Sequence, residues 1–196
     1  MPAKRINWIN QVLYAILKRV FYPSILASTP VEVNVMRSQD RFRGCLIGGA
    51  AGDALGYAVE FMRERDIFRM FGEKGITEYE LSKGKALFSD DTQMTLFTAT
   101  GLLLGTTRGM TRGVAGPSPF YIGLCYQDWL QTQEKSYSLE TRGRYSWLAN
   151  IPELYSPRAP GNTCLAALRS GKPGTTEEPI NNSKGCGGVM RVAPIG

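Results

Sequence analysis

Between Asp40 and Phe61 the chain reads D-R-F-R-G-C-L-I-G-G-A-A-G-D-A-L-G-Y-A-V-E-F, with glycine at positions 44, 48, 52 and 56. Residues four apart stack on one face of an α-helix, so the spacing predicts a helix with a narrow stripe that carries no side chains. Another backbone can approach such a stripe closely. The pattern therefore predicts Gly48 and Gly52 against a second helix or a site loop. It also predicts Asp53 buried in the Gly/Ala-lined face and bonded to backbone N–H groups, because a buried carboxylate needs partners. In a bilayer the same stripe would signal helix pairing, but Asp53 and the shortness of the apolar run argue against a membrane span.

Other helical signals follow. Ser89 can cap a helix whose first turn holds Asp90 and Asp91, with Met94, Phe97, Gly101 and Leu104 on one face. After the G-P-S-P loop at 116–119, Tyr121, Cys125 and Trp129 share a helical face, and a shorter helix is expected from Asn162 as cap to Gly171 beyond its end. A short strand is expected over 76–81. Residues 1–38 form a separate N-terminal extension in which Ile6, Ile9, Leu13, Ile16, Leu17 and Val20 predict a short amphipathic helix, ended by Pro23. Asn7, Asn10 and Gln11 interrupt its apolar stretch, which disfavours a secretion signal. Alternation of period two is scarce, so the expected class is all-α, with one domain over residues 39–196.

Composition excludes several kinds of function. Hydrophobic residues at 43% and charged residues at 20% describe a soluble globular chain. The net charge of +6 suits a phosphate-bearing ligand, but the basic residues are scattered, and no clustered cationic face marks a nucleic-acid-binding module. The four cysteines at 45, 125, 164 and 186 form no C-x-x-C pair, so neither a zinc site nor a disulfide framework is legible and a reducing cytoplasm is expected. The chain has no histidine. Ser-His-Asp and Cys-His catalysis are thereby excluded for these residues, and an acid or base has to be a carboxylate.

Three constellations could carry chemistry. S-D-D-T at 89–92 places two carboxylates beside a hydroxyl at a helix start, a set of hard oxygens suited to Mg²⁺ or Mn²⁺. The plainer alternative is that acids in a first turn complement the helix dipole. N-N-S-K-G-C-G-G-V-M-R at 181–191 has glycines that free backbone N–H groups to face an anion, and a helix starting near Gly187 would point its positive end the same way. It could equally be a Gly-rich turn. Glu60, one turn beyond Gly56, could present its carboxylate to a ligand or could be a solvated residue at a helix end.

Taken in order, G-C-L-I-G-G-A-A-G-D-A-L-G-x-x-x-E, S-D-D-T-Q-M-T and N-x-S-K-G-C-G-G-V-M-R-V-A-P-I-G closely resemble the ADP-ribosylglycohydrolase family, and R-x-P-G-N-T-C at 158–164 fits it too. The resemblance implies an all-α fold and hydrolysis of the bond between ADP-ribose and a modified protein side chain or small molecule, with two Mg²⁺ or Mn²⁺ ions gripping the ribose. It implies that Ser89, Asp90 and Asp91 are metal ligands, with Ser89 standing where the family usually has Thr. It further implies that Glu60 is the catalytic glutamate, and that Ser183, Gly185, Cys186 and Gly187 cradle the diphosphate. The family's second acidic cluster, of D-T-D type, is not found before Gly196. The expectation is of the N-terminal part of such an enzyme, truncated at its C-terminus and inactive alone. The rival reading is a non-catalytic member that binds ADP-ribose or serves as a structural protein.

Overall fold

A computed structural model of the protein describes residues 39–139 and 143–195, and the amphipathic helix expected within residues 1–38 lies outside them. Among the described residues there are five α-helices, α1 (Gln39–Gly56), α2 (Glu64–Phe71), α3 (Asp90–Arg112), α4 (Ser118–Glu134) and α5 (Asn162–Arg169), joined by loops and short 3₁₀ turns. The all-α expectation is met. The strand expected over 76–81 does not form, since it has no neighbour to pair with, and an isolated bridge between Ser82 and Lys85 closes a turn through Lys83 and Gly84 instead. The described residues divide into two compact units, one ending at Phe88 and the other beginning at Ser89.

In the N-terminal unit α1 forms as expected, and within that unit its glycine stripe is left bare. Among the described residues of that unit a Cβ built on Gly44, Gly48, Gly52 or Gly56 meets nothing within 4 Å, and Asp53 is half-buried rather than enclosed. The physical reason is angular. The buried residues of α1 are Ala50 and Ala54, each two positions, or about 200°, around the helix from a stripe glycine, so the bare line lies opposite the buried one.

The C-terminal unit is built on α3 and α4, an antiparallel helical pair joined by residues 113–117. Serine at 89 caps α3 as expected, its Oγ accepting from Asp91 N at 3.1 Å, which satisfies one of the N–H groups that a helix start leaves unbonded. Gly113 ends the helix in the left-handed conformation, φ 65°, where a side chain would be strained. The cap of α5 is Gly161 rather than Asn162, which is already the first helical residue, and Gly171 follows the helix end with φ 62°. Met94 and Phe97 of α3 and Tyr121, Cys125 and Trp129 of α4 form the core together with Leu148, Leu154 and Leu165. Each such large apolar side chain stabilises the fold by about 1.5–3 kcal/mol. A close approach at glycine occurs within this unit. A Cβ on Gly101 would lie 2.5 Å from Ile122 Cα, and one on Gly105 would lie 2.6 Å from the Tyr121 ring.

Two buried polar groups fix the pair's surroundings. Gln93 donates from Nε2 to Ser156 O and accepts at Oε1 from Trp129 Nε1 and Gln133 Nε2, each bond 3.0–3.1 Å long. Asp128, 1% exposed, accepts at Oδ2 from the N–H groups of Tyr145 and Ser146, both at 2.6 Å. Burial pushes its carboxyl above the usual carboxylate range, against the opposing pull of these two hydrogen bonds and of the Arg144 charge. Burial, with a smaller contribution from Asp128, pushes the Cys125 thiol up to about 12, so that this cysteine is inert core.

Candidate functional site

Helix α3 begins where three separated segments meet. Ser89 and Asp90 are buried, 2% and 4% exposed, and Asp91 is half-buried. The backbone N–H of Asp90 donates to Arg158 O at 3.0 Å, and its Oδ2 accepts from Gly161 N at 3.2 Å, so one residue is held by both arms of the R-A-P-G turn. That turn passes through Ala159 at φ 55°, a left-handed conformation that costs a residue with a Cβ about 1–2 kcal/mol. The N–H donated to the Asp90 carboxylate thus comes from a strained turn, and strained turns persist only where their surroundings over-determine them.

One helical turn after Asp91, Thr95 Oγ1 lies 2.7 Å from Asp91 O and 3.2 Å from Met190 O, which joins the helix to the glycine-rich segment. In that segment Ser183 N donates to Asn181 Oδ1 at 2.9 Å and Gly185 N to Ser183 Oγ at 3.3 Å. Among the described residues the N–H groups of Cys186, Gly187 and Gly188 find no acceptor, and the loop is largely exposed. Three adjacent unbonded donors are what an anion-binding loop offers. Gly187 sits where a Cβ would be 2.8 Å from Cys164 Sγ, so its glycine has a packing reason of its own. The helix expected near Gly187 is a single 3₁₀ turn, Val189–Arg191, too short to carry an appreciable dipole.

Of the residues singled out by sequence, Ser89, Asp90, Asp91 and the 183–187 loop therefore lie in one unit and are linked through Thr95, Met190 and Cys164. Glu60 belongs to the N-terminal unit. It lies in the turn at 57–61 after α1 ends at Gly56, with its N–H 3.5 Å from Tyr57 O, and its side chain is exposed. Sequence reasoning did not single out Gln93, Thr95, Tyr126 or Arg191. Thr95 was within reach, since i and i+4 share a helix face. Tyr126 and Arg191 meet only through the tertiary fold.

The family model described as ADP-ribosylglycohydrolase matches residues 34–196. The chain belongs to the ADP-ribosylglycohydrolase family. No curated protein and no solved structure gave a match. The family relation covers all three motif segments that converge at α3, and it makes a hydrolase the general class of this protein.

Family members use metal ions, and the start of α3 fits a hard cation in its donor chemistry. Two carboxylates and a hydroxyl on consecutive residues supply oxygen only, and Asp91 is open enough to reach a ligand. Asp90 already spends one carboxylate oxygen on Gly161, and the Ser89 hydroxyl already accepts from Asp91 N. Among the described residues no group of three or more His, Cys, Asp or Glu gathers into a metal-binding cluster. In the same residues no helix is long and apolar enough to cross a membrane.

Proposed function

We propose that this protein is a cytoplasmic hydrolase that cleaves the glycosidic bond between ADP-ribose and a modified protein side chain or small molecule, using Mg²⁺ or Mn²⁺. The observation that carries the reading is the meeting of three segments, S-D-D-T, R-A-P-G-N-T-C and S-K-G-C-G-G-V-M-R, along the first two turns of α3, through bonds spanning 71 and 95 residues of sequence. Capping a helix requires none of the latter two segments. Binding a phosphorylated sugar beside a hard cation uses all of them.

In this reading Ser89, Asp90 and Asp91 hold the cation, which when bound supplies positive charge to orient the ribose hydroxyls and polarise water. The N–H groups of the 183–188 loop, with Ser183, Gly185, Cys186 and Gly187 shaping it, receive the diphosphate oxygens. The reaction breaks the bond from the anomeric carbon to the leaving side chain and joins that carbon to water oxygen, through an oxocarbenium-like transition state. One proton leaves the water and one reaches the departing group. Glu60, a carboxylate in a chain without histidine, is assigned to accept or relay the proton. The side chains of these three residues would fill only part of the roughly twelve positions that two Mg²⁺ ions would require.

The test is calorimetry of ADP-ribose with the full gene product in millimolar Mg²⁺, together with mass spectrometry of ADP-ribosylated peptides for release of the modification. Binding with release supports a hydrolase, and binding without release would support a non-catalytic ADP-ribose-binding member instead. Absence of binding in a folded protein refutes both.

A further inference from the structure

We infer that Arg191 is a positioning residue that fixes the 183–188 loop while keeping its own charge uncancelled beside it, an inference that rests on the reading of that loop as an anion site. Among the described residues Arg191 has no carboxylate partner. Its guanidinium lies instead over the Tyr126 ring, 4.7 Å from the centroid, with Nη1 3.2 Å from Met94 Sδ and 3.8 Å from Cys164 Sγ. Those three side chains belong to α4, α3 and α5, so one planar cation touches all three helices of the C-terminal unit. The Tyr126 hydroxyl is in turn 2.6 Å from Thr98 Oγ1, which fixes the ring from behind.

The two ends of the loop are held very differently. At the Ser183 end the bonds are local, between residues two apart. At the Arg191 end, Met190 O lies 3.2 Å from Thr95 Oγ1, Gly187 packs on Cys164, and the guanidinium spans the helices. A carboxylate partner would anchor arginine as firmly, but it would neutralise the charge. A π face and two sulfur atoms hold the planar group without doing so, and the positive charge stays available to draw an anion toward the donors at 186–188. Lysine could supply the charge but not the planar stack.

Hydrogen exchange and ligand binding test this on Arg191→Met, Arg191→Lys, Tyr126→Leu and the Arg191→Met/Tyr126→Leu double variant. In Arg191→Met the amides of 183–188 should exchange about tenfold faster than in the parent with no ligand present. Because the cation favours phenolate, Tyr126 should titrate at higher pH in that variant, read by ultraviolet absorbance against a Tyr126→Phe reference. With ADP-ribose as probe, Arg191→Met should weaken binding about tenfold and flatten its salt dependence, whereas Arg191→Lys should keep the salt dependence and lose loop order. Arg191→Met and Tyr126→Leu should be non-additive in the double variant. Unchanged exchange at 183–188 in both Arg191→Met and Tyr126→Leu, or an unchanged Tyr126 titration, overturns the inference. Faster exchange in a series where even the parent binds no ADP-ribose leaves Arg191 as the loop's anchor and refutes the anion-site reading. If Arg191→Met does not fold, Arg191→Lys and Tyr126→Leu carry the exchange measurement by themselves.

Discussion

Gly101→Ala and Gly109→Ala make the same chemical change in the same helix, and the structure assigns them opposite signs. Inside a helix, alanine is favoured over glycine by about 0.5–1 kcal/mol. At Gly109 a new Cβ meets nothing within 4 Å among the described residues, so that gain should appear in full. At Gly101 the Cβ would stand 2.5 Å from Ile122 Cα and 2.9 Å from Ile122 N, against an ordinary carbon contact of about 3.5–4 Å. Backbone cannot rotate away as a side chain can, so α3 and α4 have to separate by roughly 1 Å along a line that includes Phe97, Tyr121 and Trp129. Overpacking of this kind costs about 1–3 kcal/mol, and an upper-range cost less the propensity gain leaves a net loss of about 1–2 kcal/mol. The two variants should then differ by about 2–3 kcal/mol, or roughly 5–10 °C in Tm for a chain of this size. Thermal melts and urea unfolding of the two proteins and the parent measure it. A Gly101→Ala protein that melts with or above Gly109→Ala would refute the close α3–α4 crossing.

Three further outcomes are expected. Asp128→Ala removes the acceptor of two buried N–H groups and should cost about 2–5 kcal/mol in denaturant unfolding, since each orphaned donor costs about 1–3; Asp128→Asn, which keeps an acceptor oxygen, should cost less. Because burial raises the Asp128 pKa, its protonated form favours the fold: that contribution is complete below the unfolded aspartate pKa of about 3.9 and is lost as pH rises through the folded value, so the parent's stability relative to Asp128→Asn should fall across that window. Gly187→Ala should perturb the loop through its clash with Cys164 Sγ and lower the Tm, and adding Cys164→Ala, which removes the sulfur but keeps a helix-favouring residue in α5, should recover part of that loss in thermal melts. Melts in about 10 mM Mg²⁺, some ten times a millimolar Kd, should show at most about 1.4 kcal/mol of stabilisation, absent in Asp91→Asn, while strong stabilisation at micromolar Mg²⁺ would show a far better built site than Ser89, Asp90 and Asp91 provide.

The helices of the C-terminal unit were legible because their signals are local. Ser89 followed by two acids, the Tyr121–Cys125–Trp129 face and Gly171 after α5 all act within a turn or two of chain. The α1 spacing shows that a bare stripe exists but not which way it faces, and within its own unit the burial of Ala50 and Ala54 turns it away from the packed side. Gly101 and Gly105, less regular in sequence, are contact glycines that no spacing marks, for the reason that their neighbours come from another helix. The candidate site shows the same division. Asp90 was visible as an acid at a helix start, whereas its bond to Gly161 and the stacking of Arg191 on Tyr126 join residues whose separation in sequence carries no periodic signal.

The pairing of α3 with α4 also bears on the order in which this unit is made. Its contacts join residues across a five-residue connection, the kind of local closure that forms early and fast, whereas Gly161, Met190 and Arg191 reach α3 across 71, 95 and 97 positions. During synthesis the hairpin is complete before these segments emerge. Asp90 can therefore keep its hydration while the hydrophobic pair assembles, and its desolvation beside a second negative charge is deferred to a stage when the strained 158–161 turn arrives with an N–H to meet it.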